Sequence, residues 1–210
     1  MTYSVNEAFY TLQGEGANTG RAAVFCRFAG CNLWSGREKH RMSAVCQFCD
    51  TEFVGTDGQN GGRFKEASAL AAHIERLWMG GPQHKLVVLT GGEPLLQVDD
   101  SLVEELRGRG FELAVETNGT VDLTVDLDWV CVSPKAGTQL KVFEGQELKL
   151  VFPQSGLNLK ELQKLDFDHF YLQPMDGPDV ESNTQAAVRF CLANPFWRFS
   201  LQTHKAIGLA

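Results

Sequence analysis

Apolar residues gather in a strand-like run from Tyr3 to Tyr10 and in a second, nearly unbroken one from Ala22 to Phe28. Each is too short for a helix and suits a buried strand. From Phe64 to Trp78 the spacing changes: Ala67, Leu70, Ala71, Ile74, Leu77 and Trp78 recur at helical intervals, which predicts a helix with one face on a sheet. Lys85 to Thr90 is continuous and rich in Val and Leu, as expected of a parallel strand covered on both faces. Ser101 and Glu104 make a capping box for a helix running to Arg109, with Gly110 as its stop. Glu112 to Thr117 then reads as the strand completing a βαβ unit.

Beyond this unit the rhythm shortens. Strands are expected at Trp129 to Ser133 and Glu147 to Phe152, yet the segments before them hold no helical pattern. A helix at Leu157 to Leu165, a strand at His169 to Gln173, a capping box at Ser182 and Gln185 opening a helix to Ala193, and a strand at Arg198 to Gln202 complete the chain. The expectation is α/β: an abbreviated, partial (β/α) barrel with a reduced helix count, forming a single domain over residues 1–210.

Polar groups recur where these strands end. Thr90, Glu116, Ser133 with Lys135, Gln173 with Met175 and Asp176, and His204 each follow a predicted strand. Parallel α/β sheets build their sites at the carboxyl ends of strands, so five such endings in succession predict one cleft. In Thr90-Gly91-Gly92-Glu93-Pro94 the glycines let a ligand approach the backbone, and Glu93 adds a carboxylate suited to an ammonium group. Arg27, inside an apolar strand, needs an anion, either a substrate carboxylate or an internal salt bridge. The Gly14-Glu15-Gly16 turn reads as a connection between strands, and no helix pattern follows to make it a phosphate loop.

Composition narrows the classes. With 210 residues, 43% of them hydrophobic, the chain can bury a core of its own. A formal charge of −7 argues against a nucleic-acid or membrane surface. Neither a signal peptide nor a membrane-spanning apolar run is evident, so a cytoplasmic location is expected, where six cysteines need not pair. Cys26, Cys131 and Cys191 sit in apolar runs and read as buried filler.

The other three cysteines are different. Cys46 and Cys49 flank Gln47 and Phe48, and Cys31 precedes Cys46 by a polar insert of fourteen residues. Such a pair alone is compatible with zinc or a redox dithiol. Three thiolates from one loop would instead leave one iron of a four-iron cluster open to a second cofactor, whereas structural zinc takes four ligands. Together with Phe48, the pattern resembles the radical S-adenosylmethionine (SAM) superfamily, with its Cys-x3-Cys-x-aromatic-Cys signature lengthened in the first gap.

A closer resemblance rests on motifs along the whole chain. Phe9 to Gly16, Cys31/Cys46/Cys49, Asp50-Thr51, Thr90 to Pro94, Glu116 to Gly119, Ser133-Pro134-Lys135, Glu147-Leu148-Lys149 and Gln173 to Asp176 are together similar to the 7-carboxy-7-deazaguanine synthases. That family implies a reduced [4Fe-4S] cluster, SAM, Mg2+ and an electron donor such as flavodoxin or ferredoxin. It also implies a homodimer and conversion of 6-carboxy-5,6,7,8-tetrahydropterin to 7-carboxy-7-deazaguanine with loss of ammonia, in queuosine and related deazapurine synthesis. By this resemblance Cys31, Cys46 and Cys49 hold the cluster. Phe48, Asp50, Gly92, Glu116, Ser133, Lys135, Gln173, Pro174, Met175 and Asp176 surround SAM. Leu12, Gln13, Gly14, Arg27, Thr90 and the Ala210 carboxylate face the pterin, making the C-terminal tail part of the pocket. Thr51 is the magnesium ligand in the family, and a plain loop cap on chemistry alone. A glycyl-radical activase would carry further cysteines, and a metal-binding module would need no polar strand ends.

Overall fold

The computed structural model describes residues 2–209. β1 (Tyr3–Leu12) pairs antiparallel with β2 (Ala22–Phe28), and β3 (Gly62–Phe64) adds antiparallel to the other edge of β1. From β2 onward the sheet is parallel: β4 (Leu86–Gly91), β5 (Glu112–Thr117), β6 (Trp129–Val132), β7 (Glu144–Phe152), β8 (Asp166–Pro174) and β9 (Arg198–Phe199). The order is β3-β1-β2-β4-β5-β6-β7-β8-β9, and its two edges do not pair, so the barrel is partial.

Strand alternation divides the side chains cleanly. Val24, Cys26, Val87, Leu89, Leu113, Val115, Val130, Val132, Leu148 and Leu150 form the large core on the convex face. Their sequence neighbours Ala23, Leu86, Val88 and Ala114 make a much smaller apolar cluster inside. With a side-chain period of two, the residues alternating with the core point inward, and they become polar toward the strand ends.

Two kinds of cover lie over the outer core. α1 (Ala67–Leu77) buries Leu70, Ala71 and Ile74, while α2 (Asp100–Gly108) buries Leu102, Val103 and Leu106. Each fully buried Leu or Ile contributes roughly 1.5–3 kcal/mol. The β5–β6 and β6–β7 crossovers carry no helix, as the spacing predicts. There the loops bury Val125, Leu127 and Val142 in the same core. The two loops are tied together where Lys141 N donates to Gly119 O at 2.8 Å. Gly119 has φ 73°, and a Cβ there would press on Val132 and Leu140.

Several boundaries differ from those read in the sequence. α2 is capped by Asp99, whose carboxylate accepts from Leu102 N at 3.1 Å, so Ser101 lies inside the helix. α4 (Val180–Ala193) begins before Ser182, whose hydroxyl donates back to Asp179 O. α3 (Leu159–Leu162) is a single turn, and Phe64 belongs to β3 rather than to α1. The last strand stops at Phe199, and α5 (Thr203–Ala206) follows it. Segments of two to four residues are shorter than any periodicity that could reveal them. Among the described residues no helix is long and apolar enough to cross a membrane.

Candidate active site

The inward parity of the parallel strands brings Arg27, Thr90, Glu116, Lys149 and Gln173 from five strands, and Ser133 from the residue after β6, to one end of the sheet. They line a cavity of about 370 Å3. Register accounts for the meeting: Arg27 lies beside Thr90, and Val151 beside Gln173. Slipping any strand by one residue would turn its polar group into the outer core.

A second wall comes from Cys46, Phe48, Cys49, Asp50, Thr51 and Glu52. This loop is irregular, and the preceding insert splints it. Trp34 is buried, stacks edge-on to Phe53 and carries the Arg41 guanidinium 4.1 Å above its ring. Arg41 in turn donates to the carbonyls of Gln47 and Cys49 at 2.9 and 3.2 Å. Cys31 stands behind the glycine loop: a Cβ on Gly92 would collide with Gly30 O and Cys31 Cβ. Burial pushes the Cys31 and Cys49 thiols up, and the neighbouring cysteines add to this. Among the described residues no three His, Cys, Asp or Glu side chains close on one point as ligands of a single ion do. Cys46 and Cys49 line the cavity and Cys31 stands behind Gly92; thiolates are the ligands an iron–sulfur cluster takes, each binding a different iron.

Beneath the strand ends lies a buried charge cluster. Lys149 Nζ is 2.8 Å from Glu15 Oε2, 2.9 Å from Glu116 Oε2 and 3.9 Å from Glu147 Oε1. Burial opposes the charge on Lys149, but the anionic groups around it outweigh that and push its pKa well up. Burial also opposes ionisation of Glu15, yet Lys149 holds its carboxyl below the ordinary value. Glu147 moves the other way, pushed up by burial and by Glu116. Its carboxyl accepts from Ala17 N at 2.9 Å and from the Cys131 thiol at 3.5 Å. Gly16, at φ 64°, leaves room for that carboxyl. Lys135 donates to Ser133 Oγ at 2.6 Å and lies 5.8 Å over the Phe48 ring, with burial pushing its pKa down.

The C-terminal segment closes the rim. Thr203 N and Oγ1 donate to Gly14 O at 2.9 and 2.8 Å, and His204 packs where a side chain on Gly14 would lie. Lys205 bridges Asp50 at 2.8 Å and Asp176 at 2.6 Å. Gln202 joins Glu15 at 3.0 Å to Asp50 at 3.2 Å.

Most candidates from the sequence therefore meet at this cavity, Leu12, Gln13, Gly92, Lys135, Pro174 and Asp176 among them. Cys31, Gly14 and Met175 stand behind the lining, and Ala210 lies outside the described residues. Arg27 takes the internal alternative while still facing the cavity. Its Nε is 2.9 Å from Glu7 Oε1 without hydrogen-bond alignment, so the pair is electrostatic and leaves donors free in direction. Glu93 corrects the expectation of an ammonium site. It is fully buried and its carboxylate accepts from Leu95 N, Thr117 Oγ1 and Asn118 N, bracing the glycine loop instead. Lys149, Glu15, Gln202 and Lys205 were not assigned from sequence. A lysine at inward parity within the apolar Leu148–Val151 run was the available signal for the first.

No protein-family model matches the chain. Curated relatives do: the 7-carboxy-7-deazaguanine synthases of Caulobacter vibrioides and Burkholderia multivorans are 61% and 58% identical to it over 209 residues, covering 100% of both chains in each case. The crystal structure of QueE from Escherichia coli superposes with a TM-score of 0.71 at 27% identity, covering 96% of this chain and 94% of that one. With full-length identity at this level and the same fold, the chain belongs to the 7-carboxy-7-deazaguanine synthase family.

Proposed function

We propose that the chain converts 6-carboxy-5,6,7,8-tetrahydropterin to 7-carboxy-7-deazaguanine and ammonia, with Cys31, Cys46 and Cys49 holding a [4Fe-4S] cluster and SAM lying between that cluster and the strand ends. The observation that carries this reading is the meeting of the Cys46 and Cys49 thiols with the strand-end polar groups at one cavity. When bound, the cluster and SAM supply a carbon-centred 5′-deoxyadenosyl radical that takes hydrogen from C6 of the pterin. Substrate and products balance without an external oxidant, in keeping with a cofactor that is regenerated.

The protein's own work is binding, orientation and exclusion of water. Phe48, Asp50, Gly92, Glu116, Ser133, Lys135 and the stretch Gln173 to Asp176 surround SAM. The Lys135 ammonium is already fixed by Ser133 and offers its remaining direction to an anionic group. Leu12, Gln13, Gly14, Arg27 and Thr90 face the pterin, and Arg27 offers its guanidinium to the substrate carboxylate. Thr51 supplies one oxygen to magnesium, a hard cation that completes its shell with substrate and water. A flavodoxin- or ferredoxin-type donor and a homodimeric assembly belong to the same reading.

The test is anaerobic reconstitution followed by incubation with SAM, reductant, magnesium and the pterin deuterated at C6. Mass spectrometry should find 7-carboxy-7-deazaguanine, with deuterium appearing in SAM. A fully loaded cluster that cleaves SAM yet gives no deazaguanine would overturn the reading.

A further inference from the structure

Two carboxylates and one ammonium share the floor of the cavity with a third carboxylate behind them, and they come from separate parts of the fold. Glu15 comes from the turn after β1, Glu116 from the end of β5, and Glu147 and Lys149 from β7. The Lys149 side chain is 5% exposed, and its Nζ meets both oxygens of Glu116 at 2.9 Å. On its other side Glu116 receives Gln13 Nε2 at 3.2 Å. Gln13 Oε1 accepts from Glu15 N at 3.1 Å, which returns the network to the second carboxylate bound by Lys149.

A buried ion cluster is poor evidence for stability, because desolvating the charges consumes most of what their attraction returns. Its geometric effect is better defined. A carboxylate on a strand end has free torsions, and without a partner it would turn toward whichever donor is nearest. Held by an ammonium from β7, two strands away, and by Gln13, the Glu116 carboxylate keeps one position in the cavity wall. Glu147 lies behind this set, withdrawn from the lining, with its oxygens engaged by Ala17 N and the Cys131 thiol.

We propose that Lys149 is a positioning residue of the reaction: its ammonium fixes the Glu116 and Glu15 carboxylates at the cavity floor, so that the reacting ligands meet Glu116 in a single orientation. The inference rests on the functional reading above and adds a residue which that reading leaves idle. Lys149 touches no ligand in this account. It acts through Glu116 and, by way of Glu15 and Gln202, on the tail that closes the rim.

Three variants test it: K149M, the charge-balanced E15Q/K149M, and K149R. Each is reconstituted anaerobically and measured for iron and sulfide content, SAM binding, Tm, and kcat and KM with the carboxytetrahydropterin. K149M should keep its iron while kcat falls by about 100-fold, the scale of a misplaced reacting group. Its Tm should also fall, because three carboxylates are left without a cation. E15Q/K149M removes one anion with the one cation. It should regain Tm but not kcat, since Glu116 keeps only Gln13 and still lacks the ammonium. K149R should regain Tm and part of kcat. Recovery of kcat together with Tm in E15Q/K149M would reduce Lys149 to a counter-ion and overturn the proposal, as would loss of iron in K149M. An active wild type beside a fully active K149M sinks this inference alone, whereas a loaded but inactive wild type sinks the functional reading first.

Discussion

The two walls of the cavity are held in opposite ways. On the strand side each polar group is anchored in the sheet and braced by others: Lys149 by carboxylates, Glu116 by Lys149 and Gln13, Thr117 and Asn118 by Glu93. On the loop side, residues 46–52 have no regular structure, and Arg41 and the Trp34–Phe53 pair secure their backbone from outside. Chemistry and stability are therefore entangled in the first wall and separable in the second. A loop tolerates side-chain change because few buried contacts depend on it, which suits residues reserved for binding.

The separation is sharpest at the cysteines. Cys46→Ala should abolish iron binding and all SAM cleavage while the metal-free protein melts near the temperature of metal-free wild type. Iron analysis beside thermal melts decides this, and normal iron content in the variant would remove Cys46 from the cluster. The converse test falls on Glu93, which touches the strand wall from behind. Glu93→Ala leaves Thr117 Oγ1 and two backbone N–H groups without their acceptor and should cost ~2–3 kcal/mol. Urea unfolding of the metal-free protein measures it, and an unchanged midpoint would mean that the bracing has no energetic weight.

How far the sequence revealed these walls depends on the length of the signal. Strand ends were legible because β4, β5, β6 and β8 show as apolar runs, and with them came Thr90, Glu116, Ser133 and Gln173. The missing crossover helices were legible from the short gaps before Trp129 and Glu147. What stayed hidden was partnership. Nothing local tells that Asp99 and not Ser101 caps α2, since both can fill the role and the choice depends on where the loop from Pro94 delivers the chain. Glu93 looked like a ligand for an ammonium because its acceptors' partners, Thr117 and Asn118, lie 24 and 25 residues away. Lys149 joins Glu15 and Glu116 only once the sheet has curved.

A smaller effect is expected at Thr51 in the loop wall. Thr51→Ala should lower turnover and flatten its dependence on magnesium, with iron content and Tm preserved. Equal stimulation of wild type and variant by magnesium would leave Thr51 a loop residue only. The smallest effect concerns His204, through which the tail packs against Gly14. Burial lowers its pKa from the ordinary 6.5, so the unfolded chain binds the proton more readily than the folded one. The stability it contributes is thus present above pH 6.5 and is lost as pH falls through the lower folded value. Wild type should lose Tm between pH 7 and about 5, above the range where ordinary carboxylates titrate, and H204Q should lose less over the same interval. Parallel Tm profiles for the two proteins would show that His204 protonation is not coupled to tail docking.

The sheet's open seam has a consequence for how the protein is made. Where strands would close a full barrel, this fold relies on Ser200 Oγ receiving Gly16 N and on Thr203 reaching Gly14, contacts spanning 184 and 189 residues of chain. Closing so long a loop is entropically slow, and no earlier part of the polypeptide can substitute for it. During synthesis the cysteine loop emerges long before residues 200–205 exist to cover the rim. The rim is therefore the last part of the cavity to be completed, after every strand that carries a polar group to it has been made.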